Sequence, residues 1–263
     1  MRVSALTIGG FDPTGTVGVP VDLRTFAAAG VHGLCVLTLT TAQNTVVFGG
    51  VAPLASEAVS EQLDALLSDV TPAATKTGML WSPDIAEAVA AEVRSRGLAN
   101  LVVDPVLVSG SGERIIDAAI DEIYLRQLLP VAAVVTPNRD EAALLLAGPI
   151  VTDDDALSAA VALRELGPDV VVVTGSGAAG DVVATAAGAS LVARPQIGED
   201  PVRGSGDTLS AAVAACLAMG ASAEEAVRTA IEFAERSIRR GVSSPIGSGR
   251  PSAAQAAEDW PVG

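Results

Sequence analysis

Short runs of Val, Leu, Ile and Ala recur along the chain, most of them too short for a helix. VSALTIG, LCVLTLT, NLVVDPV, AAVVTP and DVVVVTG are rich in β-branched residues, and several are continuously apolar rather than alternating. Continuous apolarity is the pattern of strands covered on both faces. Helical spacing appears between these runs. Val59, Leu63, Leu66 and Leu67 fall on one helix face. Ser82-Pro83 supplies an N-cap with proline at the first helical position, and Ser222 with Glu225 has capping-box spacing. Gly97, Gly167 and Gly220 stand where helices should stop.

The alternation predicts an α/β fold, a doubly wound and mostly parallel central sheet with helices on both faces. No break in composition marks a second domain, so residues 1–263 read as one unit. The end of the chain, 241–263, is rich in Gly, Ser and Pro and is expected to be a partly mobile tail. Ligands of such folds sit beyond the carboxyl ends of the strands, and those loops are the place to search.

Composition narrows the classes of function. The chain is 49% hydrophobic but only 3% aromatic, so its core must be aliphatic. A net charge of −15 disfavours nucleic acid and anionic membrane as partners. Lys76 is the sole lysine, so any role for an ammonium falls to it. Cys35 and Cys216 lie in apolar runs and read as small buried hydrophobes, not a disulfide or metal site. His32 lies in a loop-like AGVHG, where a surface or packing role is expected. There is no basic leader, and no apolar run of membrane-spanning length, so a cytoplasmic protein is expected.

Three segments carry candidate chemistry. Gly204-Ser205-Gly206-Asp207 precedes the helical run TLSAAVAACLAM. A glycine-rich turn feeding a helix exposes unpaired backbone amides that suit a phosphoryl group, and Asp207 beside them suits a base. Plain capping accounts for the same residues. Asn138 and Glu141, three apart after AAVVTP, suit a hydrated Mg²⁺ with its phosphates, and equally suit an N-cap arrangement. Asp104 ends a buried strand, where a charge needs either a structural partner or a ligand. The N-terminal GGFDPTGTVG matches neither a dinucleotide fingerprint nor a P-loop. Gln43 follows the second strand with a carboxamide that both donates and accepts, matching an aminopyrimidine edge.

Six segments in order, LTIGGFDPTGTVGVPVDLRTFAAAGVHG, TAQNT, ATKTGML, LVVDPVLVSGSG, VVTPNRDEAALLLAG and GSGDTLSAA, together resemble the phosphomethylpyrimidine kinases of the ribokinase-like superfamily. The resemblance spans about Ser4 to Arg240. It implies ATP-dependent phosphorylation of 4-amino-5-hydroxymethyl-2-methylpyrimidine, its monophosphate, or both, in thiamine biosynthesis, by a homodimer using ATP and Mg²⁺. By position it implies an anion hole at Gly204, Ser205 and Gly206 with Asp207, and phosphate contacts at Asn138, Glu141, Thr174 and Arg203. It also implies Mg²⁺ at Asp104 and Glu141, and a pyrimidine pocket at Gly10, Asp22, Gln43 and Met79.

The chain departs from the family pattern at six places. Asp207 stands for Cys, Thr174 for Lys, Phe11 for Ser, Pro20 for Gln, Gly110 for Lys and Arg203 for His. Asp207 and Thr174 match other branches of the superfamily, where the Asp is a general base. A kinase of a pyridoxal-type or other heteroaromatic alcohol is therefore an alternative. A ligand-binding homologue without turnover is a second.

Overall fold

The computed structural model describes residues 2–110, 112–175, 180–194, 197 and 201–261. Its elements in order are β1 (Ser4–Phe11), α1 (Val19–Ala28), β2 (His32–Gln43), β3 (Phe48–Pro53), α2 (Ser56–Leu67), β4 (Ala74–Thr77), α3 (Pro83–Arg96) and β5 (Leu101–Val103). They continue with α4 (Ile120–Ile123), β6 (Val134–Val135), α5 (Arg139–Leu145), α6 (Asp153–Arg164), β7 (Val170–Val173), β8 (Asp181–Thr185), β9 (Gly188–Val192), α7 (Ser205–Ala218) and α8 (Ala223–Ser243).

The strands form one sheet in the order β3-β2-β1-β4-β5-β6-β7-β8-β9. The central pairings, from β2 to β7, are parallel, and antiparallel strands close both edges. The mostly parallel, doubly wound sheet expected from the alternation is what forms. Expectation fell short at central β4, whose buried ATKT holds no apolar run, and at the edges. The β8–β9 hairpin and β3 lack a continuous apolar run, because an edge strand need not be covered on both sides.

Pleat alternation divides the core in two. Leu6, Ile8, Val103, Val135 and Val171 point to one face, under α2, α3, α5 and α6. Ala5, Val102, Val134, Val170 and Val172 point to the other, where α7 and α8 pack with Phe26 of α1. Thr208 through Leu217 of α7 are buried all round, which explains the unbroken small apolar run there. Small residues let α7 lie close to both the sheet and α8.

The helix ends follow the sequence signals. Ser82 accepts a hydrogen bond from Ile85 N at 3.4 Å, Ser222 and Glu225 form a reciprocal capping box, and Gly97 takes the left-handed C-cap conformation at φ 61. Cys216 is buried, but Cys35 is exposed, against expectation. Alternation along β2 turns Cys35 away from buried Val36, so an apolar run there does not bury every member. His32 is exposed, as expected.

Helix α8 runs on to Ser243, into the segment expected to be a tail. The chain then returns along the body: Arg203 N donates to Pro251 O and Ala253 N to Arg203 O, both at 2.9 Å, with Ser252 and Ala253 buried. No helix among the described residues is long and apolar enough to cross a membrane.

Candidate active site

Two cavities adjoin at the carboxyl end of the sheet, the smaller beyond β1, β4 and β5 and the larger reaching beyond β6 and β7, where this fold class places its ligands. The smaller, about 450 Å³, is lined by Gly10, Asp22, Gln43 and Met79, all four of the residues expected to face a pyrimidine. The larger, about 720 Å³, is lined by Asn138, Thr174, Gly204, Ser205 and Gly206. Val17, Ser109, Gly110 and Arg203 line both, so they mark the passage between the two.

Glycines set the shape of the smaller cavity. β1 shifts register against β2 between Gly9 and Gly10, and a Cβ at Gly10 would stand 2.8 Å from Leu39 Cδ1. Phe11 reaches the same cavity, whereas Pro20 stands in the first turn of α1 and lines neither. Gln43 Oε1 accepts from Arg203 at 3.1 Å, and Thr38 donates to the Met79 carbonyl at 2.8 Å.

Beneath this cavity lies a charge cluster of which composition revealed only the cation. Lys76 Nζ is fully buried on β4, 2.6 Å from Asp22 Oδ1, 3.4 Å from Asp207 Oδ1 and 3.9 Å from Asp104 Oδ2. Thr7 donates to the second oxygen of Asp22 at 2.6 Å. Burial works against the charge on Lys76, but Asp22, Asp207 and Asp104 outweigh it and raise its pKa, so the ammonium persists. Burial raises Asp22 against the pull of Lys76, and raises Asp104 to about 6 although Lys76 opposes it and Ser210 donates to it at 2.9 Å.

Asp207 does not cap its own helix: the start of α7 has no side-chain cap bond, and the carboxylate turns toward Lys76 and the smaller cavity. Gly204 takes φ 71, and a Cβ there would lie 2.3 Å from Thr16 O. The first backbone bond of the helix is Thr208 N to Gly204 O, so the amides of 205–207 precede it. The turn therefore offers amides on the side of the larger cavity and a carboxylate on the side of the smaller.

Asn138 and Glu141 form the full capping box of α5, so the structural reading of that pair is realised. Glu141 lines neither cavity. Its Oε2 accepts from Asn138 N at 2.8 Å and its Oε1 from Leu107 N at 3.3 Å. Burial, joined by the Asp104 charge, raises Glu141 to about 8 despite those amides. Asp104 also lies behind the cavity walls, against Lys76 and Ser210.

The described residues hold no group of three or more His, Cys, Asp or Glu with the spacing of a metal cage. They do hold two buried carboxylates, Asp104 and Glu141, that repel each other, the kind of pair a nearby cation relieves. That fits an ion carried mainly on substrate phosphates, as Mg²⁺ usually is, rather than one held by the protein alone.

Two contributors went unread in the sequence. Asp12 is buried and organises the loop to Val17, accepting from Thr14, Thr16 and Val17 at 2.6 to 3.2 Å. Burial alone would raise it, but the bonds from Thr14 and Thr16 hold it below the usual range. The spacing Asp12-x-Thr14-x-Thr16 was the available signal. Lys76 carried only the signal of being unique, since a lone lysine in ATKT says nothing of three aspartates from distant segments.

The family model for phosphomethylpyrimidine kinase matches residues 12–251. A hydroxymethylpyrimidine/phosphomethylpyrimidine kinase of Synechococcus elongatus is 39% identical over 93% of this chain and 95% of its own. One from Streptomyces coelicolor is 38% identical over 93% and 91%. Among solved structures, an ADP complex of Bacillus subtilis pyridoxal kinase superposes with TM-score 0.90 at 32% identity, covering 98% of this chain and 99% of that one. A phosphomethylpyrimidine kinase from Clostridium difficile gives TM-score 0.76 at 31% identity, covering 87% and 97%. With its two adjoining cavities, its glycine turn and this breadth of similarity, the chain belongs to the phosphomethylpyrimidine kinase family.

Proposed function

We propose that this protein transfers the γ-phosphoryl group of ATP to the hydroxymethyl oxygen of 4-amino-5-hydroxymethyl-2-methylpyrimidine, to the monophosphate of that alcohol, or to both, in thiamine biosynthesis. The observation that carries this reading is the Gly204–Asp207 turn standing between the two cavities, with its amides toward one and the Asp207 carboxylate toward the other.

In this reading the donor nucleotide occupies the larger cavity, beside Asn138, Thr174 and Arg203. The acceptor occupies the smaller, against Gly10, Asp22, Gln43 and Met79. Asp207 holds the acceptor hydroxyl and takes its proton as the oxygen attacks the γ-phosphorus. The new O–P bond forms as the bridge to the β-phosphate breaks, and ADP carries away the electron pair. Amides of residues 205–207 take up the charge on the transferring oxygens. Lys76 keeps Asp207 in place from below, and Asp22 anchors Lys76. Asp104 and Glu141 would help hold Mg²⁺ carried on the nucleotide, which would supply positive charge to the phosphates. The active form is proposed to be a homodimer, in the cytoplasm.

A pyridoxal-type alcohol is the second reading. Asp207 favours an alcohol acceptor over a phosphate, since a carboxylate repels a phosphate anion, and the pyridoxal kinase of Bacillus subtilis superposes over nearly its whole length. ADP release with MgATP against the pyrimidine alcohol, its monophosphate and pyridoxal, for wild type and Asp207→Ala, separates the readings. Turnover on a pyrimidine supports the first and turnover on pyridoxal alone supports the second. No turnover on any of them overturns both and leaves a ligand-binding homologue.

A further inference from the structure

The larger cavity is lined by four arginines in a strongly acidic chain, and two of them are neutralised. Arg194 pairs with Asp181 at 2.6 Å, and Arg139 pairs with Asp153. Arg203 and Arg250 form no ion pair among the described residues. Arg203 donates only to the uncharged Gln43 and Thr16, and Arg250 to the Gly110 carbonyl at 3.2 Å. Both stand at the passage between the cavities: Arg203 lines both of them, and Arg250 lies on Gly110, which also lines both.

The fold holds Arg250 there deliberately. Residues after α8 pass Thr45, where Gly249 N donates to the Thr45 hydroxyl at 3.3 Å and any Cβ on Gly249 would stand 1.7 Å from Thr45 O. Two residues later Pro251 O accepts from Arg203 N, and Ser252 pairs with Arg203 as an isolated parallel bridge. One backbone thus fixes Arg250 between two anchors and ties it to the strand-like stretch carrying Arg203. Gly110 completes the seat through its carbonyl, which accepts from the Arg250 guanidinium at 3.2 Å.

We infer that Arg250, brought in by the C-terminal segment, is a donor-site residue that contacts a phosphate of the bound nucleotide at the passage where the phosphoryl group crosses. A guanidinium without a carboxylate partner, opening on a cavity beside unpaired backbone amides, is suited to a polyphosphate. Its single bond to Gly110 orients it and leaves most of its donors for a ligand. The inference rests on the donor being a nucleotide, as proposed above.

The test is calorimetric titration of the full chain with ADP and, separately, with tripolyphosphate, for wild type, Arg250→Ala, Arg250→Gln and Arg250→Lys. The glutamine variant retains a donor for the Gly110 carbonyl but no charge. Loss of about tenfold or more in affinity for both probes in Ala and Gln, with Lys intermediate, supports the inference. Ala within roughly twofold of wild type for both probes overturns it. Recovery of wild-type affinity by Gln also overturns it, since the role is then only the bond to Gly110. Melting of each unliganded variant identifies a loosened tail; if Ala melts lower, the Gln-to-wild-type comparison decides. A wild type that binds neither probe overturns both this inference and the kinase reading. A wild type that binds ADP in an Arg250-dependent manner, yet phosphorylates no acceptor, overturns the kinase reading alone.

Discussion

Lys76 Nζ lies 3.4 Å from Asp207 Oδ1, joining the middle of β4 to the start of α7 across the floor of the smaller cavity. The ammonium is wholly enclosed and faces Asp22 and Asp104 as well, so one cation answers three carboxylates. Such an arrangement is stable only while the cation is there. Lys76→Met leaves buried carboxylates without a counter-charge and should cost about 3–5 kcal/mol of folding stability. Because protonating the aspartates relieves the strain, the deficit should shrink as pH falls from neutral toward acid. Urea unfolding of wild type and variant at several pH values measures it; a deficit independent of pH would show that packing, not charge, is what Lys76 contributes.

Asp207 projects to the smaller-cavity side of the glycine turn, and with the acceptor bound there as proposed its importance depends on the acceptor. An alcohol must lose a proton as it attacks, whereas a phosphate attacks through an oxygen already ionised. Asp207→Asn should lower kcat on an alcohol by roughly 10²–10⁴-fold, within the usual range for a general base. On the pyrimidine monophosphate the loss should be far smaller. Steady-state ADP release on both acceptors gives the ratio, and equal losses would assign Asp207 a structural part instead.

The glycines of the turn should respond in opposite ways. Gly204 adopts φ 71 with Thr16 O only 2.3 Å from any added Cβ, so Gly204→Ala is strained in backbone and in space. It should lower both the melting temperature and activity. Gly206 sits in the first turn of α7, and an added Cβ meets nothing within 4 Å. Gly206→Ala should therefore fold as well as wild type or better, by up to about 1 kcal/mol from helix propensity. It should still lose activity, because the methyl group projects into the space where the phosphates would lie. Thermal melts paired with ADP-release assays check this, and full activity in Gly206→Ala would move the phosphates away from the turn.

These contrasts show which features were legible before the structure. Most strands covered on both faces declared themselves as apolar runs, central β4 with its ATKT being the exception, and helix ends declared themselves through Ser82-Pro83 and Ser222 with Glu225. Gly10, Asp22, Gln43 and Met79 were assigned to one pocket by resemblance, and they share one cavity. The edge strands were not legible, because one-sided burial leaves no run to see. Nor was the Lys76 cluster, whose members come from α1, β4, the end of β5 and α7, with Asp207 lying 131 positions beyond Lys76. Arg250 lay in a Gly- and Ser-rich stretch read only as a tail. Long-range pairing of charges has no period, so sequence pattern does not report it.

Stability should fall as pH rises from about 4 toward 8. Asp22 is raised from 3.8 to about 7, Asp104 from 3.8 to about 6 and Glu141 from 4.5 to about 8, in each case chiefly by burial. Between the unfolded and folded pKa of each group the folded chain binds more protons than the unfolded chain, so unfolding free energy decreases with pH across that window. Asp12, held below its ordinary value, acts with the opposite sign, and only below about pH 4. A positive charge near Asp104 and Glu141 favours their ionised forms, so the downward slope should flatten when MgADP is bound. Chemical unfolding from pH 5 to 8, with and without saturating MgADP, measures both slopes. A flat profile in the free protein would mean that these buried carboxylates ionise without cost, and identical slopes in both states would place the cation away from Asp104 and Glu141.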